Sequence, residues 1–132
     1  LHLTGEAVAE MSDASGTSWL DVGRRDWDDA LLAATGLSRA QMPRLVEGSE
    51  PSGRLCDDLA AAWGLPRGVV VAGGGGDNAA SAVGVGVVRA GEAFVSLGTS
   101  GVLFAATDGF RPDAASAVHT FCHALPGTWH QM

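Results

Sequence analysis

The tightest constraint in this 132-residue sequence is the stretch Val69-Val70-Val71-Ala72-Gly73-Gly74-Gly75-Gly76-Asp77-Asn78. It reads as a short strand, a run of glycines, and a carboxylate opening a helix of small residues. Residues 69–72 are apolar without alternation, the pattern of a strand covered on both faces. The glycines permit positive φ and close approach of a ligand. A helix is expected over 78–87. Asp77 then stands at the carboxyl end of a central strand, where ligand crevices of open α/β sheets lie. Two roles are compatible with that place: a helix N-cap, or a base that takes the proton of a hydroxyl.

The remaining chain is expected to alternate short strands and helices. Residues 3–11 lack periodicity, and 12–17 are turn-rich, with Ser12 or Asp13 as a cap. A strand is expected over 18–22. Asp26 is expected to cap a helix over 27–35 that buries Leu31 and Leu32 and ends at Gly36. Ser38 to Gln41 has capping-box spacing. Residues 46–54 read as a loop. The helix over 55–63 is expected to bury Leu55, Leu59, Ala62 and Trp63 and to stop at Gly64. Beyond 88–91, where a domain boundary is expected, the pattern becomes a β-hairpin. Its strands are 92–97 and 102–106, and its tip is Gly98-Thr99-Ser100-Gly101. A strand over 118–125 follows.

Charge excludes several classes of function. The net charge is −7, and all eight basic residues are Arg. An acidic chain without Lys does not suit nucleic acid. It also lacks the Lys of a Walker-type loop or a Schiff base. No apolar run reaches membrane-spanning length. Cys56 and Cys122 form no CxxC pattern, as expected of a reduced, cytoplasmic chain. The sequence starts without Met and stops inside a strand pattern, so a fragment of a longer protein is expected.

Four chemistries compete for these residues. The Gly98–Gly101 tip offers backbone N–H groups and hydroxyls that could cradle phosphate without Lys. Gly74 to Ala79 matches G-x-G-x-x-A, with Glu92 at the distance of a ribose-binding acid, which would make a dinucleotide-binding oxidoreductase. Against it, Asp77 puts negative charge where a pyrophosphate needs a positive helix end. His119, Cys122, His123 and His130 could supply metal ligands, although half-buried strand histidines account for them better. Gly98-Thr99-Ser100-Gly101-Val102 misses the serine-hydrolase elbow at its last position.

Motifs along nearly the whole chain resemble the FGGY family of carbohydrate kinases, most closely its xylulokinase branch. They are Leu3-Thr4-Gly5-Glu6, Met11-Ser12-Asp13-Ala14-Ser15-Gly16-Thr17, Trp19-Leu20-Asp21-Val22, Arg25-Asp26-Trp27, Gln41-Met42-Pro43 and Glu47-Gly48-Ser49-Glu50. Gly74 to Ala80, Ser96 to Gly101 and Val118 to Pro126 continue the series. The resemblance implies an α/β, ribonuclease-H-like, actin-like ATPase fold in two lobes, with 1–88 ending the first and 89–132 starting the second. It implies phosphoryl transfer from MgATP to D-xylulose, giving D-xylulose 5-phosphate and ADP. By motif match, Asp77 is the catalytic base, Asn78 helps hold the sugar, and Gly98, Thr99, Ser100 and Gly101 approach the nucleotide phosphates. No metal ligand is assigned within the chain. The family's first phosphate loop and Mg²⁺-associated acids would lie before residue 1, and its adenine-binding loops after residue 132. The isolated chain is therefore expected to be inactive, and its uncovered apolar surface to favour a homo-oligomer. A non-catalytic sugar-binding relative is the alternative within the same resemblance.

Overall fold

A computed structural model describes residues 1–132. Strand β1 (Val8–Glu10) pairs in parallel with β4 (Arg44–Val46), Val8 opposite Arg44 and Glu10 opposite Val46. Between them lie the short helix α1 (Met11–Ala14), a 3₁₀ turn over Ser15–Thr17, the small hairpin β2 (Leu20–Asp21) and β3 (Asp26–Trp27), and α2 (Asp29–Ala34). Next come β5 (Pro51–Arg54), α3 (Asp57–Ala62), β6 (Val70–Ala72) and α4 (Asp77–Gly84). An antiparallel sheet closes the chain: β7 (Ala93–Leu97), β8 (Gly101–Thr107), β9 (Thr120–Cys122) and β10 (Trp129–Gln131), in the spatial order β7-β8-β10-β9.

Two apolar clusters form the core. Met11, Ala14, Leu20, Trp27, Leu32 and Cys122 pack around α1, and Ala82, Val87, Phe104 and Ala106 join α4 to the sheet. One ring from each strand of the sheet forms a ladder. Phe94 stacks on Phe104 at 5.0 Å, Phe104 on His130 at 4.1 Å, and His130 on Phe121 at 5.6 Å. Side chains alternate faces along a strand, so a one-residue slip of any strand would take its ring out of the ladder.

Arg25 ties the segment after β4 to the turn before β10. Its guanidinium grips Glu47 bidentately (Nε to Oε1 3.0 Å, Nη2 to Oε2 2.6 Å) and donates from Nη1 to the Thr128 carbonyl at 3.0 Å. It also lies 5.0 Å from the Trp129 ring. Planar Arg suits such a bidentate, stacked site where Lys would not.

Several local expectations change. The expected loop over 46–54 contains strand β5, which pairs antiparallel with β6 around a register shift between Pro51 and Gly53. Polar and glycine-rich composition hid it; Pro51 is tolerated because it opens the strand. The strand before the glycines is not covered on both faces: Val70 is 52% exposed. Asp28, not Asp26, caps α2, accepting from Ala30 N–H at 2.8 Å and Leu31 N–H at 2.9 Å. Asp26 sits in β3, and Leu31 is exposed while Leu32 is buried. Trp63 is exposed, and Ala60 is the residue that α3 buries. Helix α4 ends at Gly84, earlier than residue 87. The hairpin, the capping box at Ser38 and Gln41, and the stop at Gly36 (φ +76°) follow the expectation. No helix is long and apolar enough to cross a membrane.

The glycine run serves packing as much as flexibility. Only Gly74 of the four has positive φ, at +92°. A Cβ on Gly73 would lie 2.5 Å from the Glu47 carbonyl oxygen, and one on Gly48 would lie 2.6 Å from that of Gly74. Backbone bonds hold these segments together: Gly73 N–H to Glu50 O at 2.8 Å, and Gly74 N–H to Gly48 O at 3.1 Å. By contrast, a Cβ on Gly76 would find its nearest neighbours at 3.5 Å, an ordinary contact. Gly73→Ala is therefore expected to lower stability by about 1–3 kcal/mol through overpacking against backbone. Gly76→Ala is expected to cost under about 1 kcal/mol, the cost of a poorer cap. Urea unfolding of the two variants checks the contrast.

Candidate active-site cleft

The site starts from a buried carboxylate at the end of β1. Glu10 is 7% exposed and serves as the N-cap of α1. Its Oε1 accepts from Ser12 N–H at 2.9 Å, and its Oε2 from Asp13 N–H at 3.1 Å and Ser12 Oγ–H at 2.5 Å. Three donors on one carboxylate satisfy a charge that would otherwise be costly to bury. Ser12 Oγ in turn accepts from Gly76 N–H at 2.9 Å. One turn further on, Ser15 Oγ donates to the Met11 carbonyl at 2.9 Å and accepts from Cys122 N–H at 3.0 Å. Helix α1 and its 3₁₀ extension thereby hold the glycine run and strand β9 at fixed positions.

Between them lies a cleft of about 150 Å³, lined on one side by Ser12, Asp13, Asp77 and Asn78 and on the other by Phe121 and His130. It is smaller than the several hundred Å³ of sites for drug-sized ligands, which suits a small polar molecule. Asp77 is the first residue of α4 and Gly76 its cap, so Asp77 is not the N-cap. Its Oδ1 accepts from Asn78 N–H at 2.8 Å, and Oδ2 has no protein partner. The Asp13 carboxylate accepts no hydrogen bond from the protein, and both carboxylates are exposed. The Asp13 carboxylate, the free Oδ2 of Asp77 and the Asn78 amide thus line one small opening, an arrangement able to accept hydrogen bonds from hydroxyls and to take up a proton.

The other expected residues fall into two groups. Gly101 borders a neighbouring apolar cavity of about 570 Å³, which shares Phe121 and Met132 with the cleft. Gly98, Thr99 and Ser100 are exposed at the hairpin tip, where Gly98 N–H donates to the Ser100 carbonyl at 2.9 Å. Two residues of the site, Glu10 and Asp13, carry no sequence signal for it, and His130 reads from sequence only as a candidate metal ligand or a strand histidine. Glu10 lies in a segment without periodicity, and Asp13 reads as a turn cap.

The competing chemistries find no geometry. A hairpin, not a second βα unit, follows α4, and β6 pairs with an antiparallel neighbour. Glu92 Oε2 is occupied by Val88 N–H at 2.8 Å and Arg89 N–H at 2.9 Å, and these bonds hold its carboxyl below the usual range. No group of three or more His, Cys, Asp or Glu side chains could hold a metal ion. Cys122 is buried, with Sγ directed at the Val22 carbonyl at 3.6 Å. His123 Nε2 lies 3.1 Å from the Val87 carbonyl, and its Nδ1 accepts from Leu125 N–H at 3.3 Å, which fixes the Nε2–H tautomer. These residues do not build a Mg²⁺ site by themselves.

His130 is 3% exposed, stacked between phenyl rings, and neither ring nitrogen has a partner. Burial lowers its pKa to about 4, and the neighbouring His123 adds to the shift. The unfolded chain takes up this proton near pH 6.5, and the folded chain only near 4. The group therefore lowers stability as pH falls through that window, by up to about 3 kcal/mol. Burial lowers His123 in the same direction. The urea midpoint is expected to drop between pH 7.5 and 4.5, and His130→Phe to flatten that drop while leaving stability at pH 7.5 equal or higher.

Three comparisons bear on this cleft. Residues 1–84 match the FGGY family of carbohydrate kinases, N-terminal domain. The xylulose kinases of Escherichia coli (strain K12) and Klebsiella pneumoniae are 60% and 58% identical to the chain over all its 132 residues. The chain spans about 27% of the length of each. The crystal structure of a xyloylose kinase from Brucella ovis superimposes with a TM-score of 0.96 at 65% identity, over 98% of this chain and 27% of that one.

Proposed function

This chain belongs to the FGGY family of carbohydrate kinases and has their ribonuclease-H-like, actin-like ATPase fold, and on that premise we propose that the whole protein transfers the γ-phosphoryl group of MgATP to D-xylulose. The observation that carries the reading is the cleft that Asp77, with one carboxylate oxygen free, lines together with Asn78 and Asp13. The relatives named above, at 58–60% identity, support the choice of sugar.

In this reading a sugar hydroxyl sits against Asp77 and Asn78. Asp77 takes its proton as the oxygen attacks the γ-phosphorus, forming the new O–P bond. The bond from phosphorus to the bridging oxygen breaks, and ADP leaves. Phosphoryl transfer asks mainly for positioning and charge stabilisation, and an Asp fixed beside the hydroxyl supplies the first. Gly98, Thr99, Ser100 and Gly101 approach the nucleotide phosphates. Residues 1–88 end the first lobe and 89–132 begin the second. The free thiols of Cys56 and Cys122 suit a reducing cytoplasm. Exposed Val95, Leu97 and Leu103 suit contact with another chain segment or a second copy.

The test is ADP release by the full-length protein with MgATP and D-xylulose, L-ribulose, glycerol, gluconate or no acceptor. Release that depends on D-xylulose is expected, and Asp77→Asn is expected to abolish it while sugar binding persists. Release with a different acceptor would keep the mechanism and change the substrate. Sugar binding without release would make the protein a non-catalytic relative.

A further inference from the structure

We propose that Glu10 and Ser12 are positioning residues for the base: they fix Asp77 through the Gly76 amide, and turnover depends on that fixed position. The inference rests on the reading of Asp77 as base and adds residues to which no role has been given.

The chain of contacts is short and closed. Gly76 N–H donates to Ser12 Oγ at 2.9 Å, and Ser12 Oγ–H donates to Glu10 Oε2 at 2.5 Å. Because Glu10 is an acceptor, the Ser12 hydroxyl proton has one direction to point, and its lone pair is left for Gly76. Glu10 is itself immobilised by the Ser12 and Asp13 amides at 2.9 and 3.1 Å. Glu10 and Ser12 are each 7% exposed, so water does not replace these bonds. Gly76 is the cap of α4 and directly precedes Asp77.

Position matters here because nothing else holds the Asp77 side chain. Its single protein hydrogen bond comes from the next residue, Asn78, and moves with it. The preceding backbone is glycine over four positions, the most permissive backbone available. The Ser12 contact is the long-range bond that stops the last of these glycines from drifting, and it spans 64 positions of sequence. The same carboxylate fixes the Asp13 amide, so the two carboxylates that face the cleft are referenced to one point.

A base acts only while its proton is moving, so a misplaced base lowers kcat and spares nucleotide binding. A displacement of about 1 Å costs on the order of 10²-fold. The experiment uses the full-length protein and the variants Asp77→Asn, Ser12→Ala, Ser12→Thr and Glu10→Gln, with kcat, KM for ATP, KM for D-xylulose and thermal midpoint measured for each. Ser12→Ala is expected to lower kcat about 10- to 100-fold with KM for ATP changed less than about twofold. Ser12→Thr, which keeps the hydroxyl, is expected to recover most of the loss. Glu10→Gln is expected to lower kcat in the same way, and the double variant with Ser12→Ala to be no worse than Ser12→Ala alone. Unchanged kcat in Ser12→Ala, beside an inactive Asp77→Asn, would overturn the inference and leave the base assignment standing. Turnover in Asp77→Asn would overturn the assignment itself. If Ser12→Ala does not fold, Glu10→Gln decides, because it keeps size and an acceptor oxygen: normal kcat there overturns the inference.

Discussion

The buried Glu10 carboxylate is the contact on which the rest of the cleft depends. An isolated charge at 7% exposure would be costly, and this one is satisfied by two amides and a hydroxyl. Those donors belong to the first turn of α1, so satisfying the charge also starts the helix. Ser12 then reaches out to the glycine run, and Ser15 to strand β9. A helix of four residues has little stability of its own. Here it persists because it is bonded at both ends to segments that form the two walls of the site.

The glycine run is shaped by a second constraint, close contact with residues 46–50. Gly73 and Gly48 are glycines because carbonyl oxygens occupy the space of a side chain, and Gly74 because its φ is positive. Arg25 also secures this region, through Glu47 and the Thr128 carbonyl. The segment before Asp77 is thus rigid although its composition suggests freedom. Rigid approach and a free carboxylate together are what a small polar-ligand site requires.

Much of this was legible in the sequence where one local signal governs the outcome. The hairpin at 93–107 and the helix stop at Gly36 follow from turn chemistry. The glycines after an apolar strand point to a crevice beside Asp77, and a cleft lined by Asp77 and Asn78 lies there. What stayed hidden depends on distant partners. Glu10 and Ser12 have meaning only beside Gly76, and no local pattern joins them. His130 reads from sequence as a candidate metal ligand or a strand histidine, and its place between two phenyl rings depends on the pairing of its strand with β8 and β9. Strand β5 escaped because Pro, Ser and Gly mark turns, yet an edge position tolerates them. The choice of Asp26 over Asp28 as cap failed because three Asp residues stand close together, and only the β2–β3 pairing decides among them.

The bonds that build the cleft also set the order in which it can form. Hairpin β7–β8 closes over a few residues, and such hairpins assemble in about 1–10 μs. The Gly76–Ser12, Cys122–Ser15 and Arg25–Thr128 bonds span 64, 107 and 103 positions. Each must meet the entropy of closing a long loop before it returns any energy, so such contacts come late. Closing the β7–β8 hairpin costs less loop entropy than any of these three bonds. The walls of the cleft therefore carry the largest loop-closure cost among these contacts, and the local hairpins the smallest.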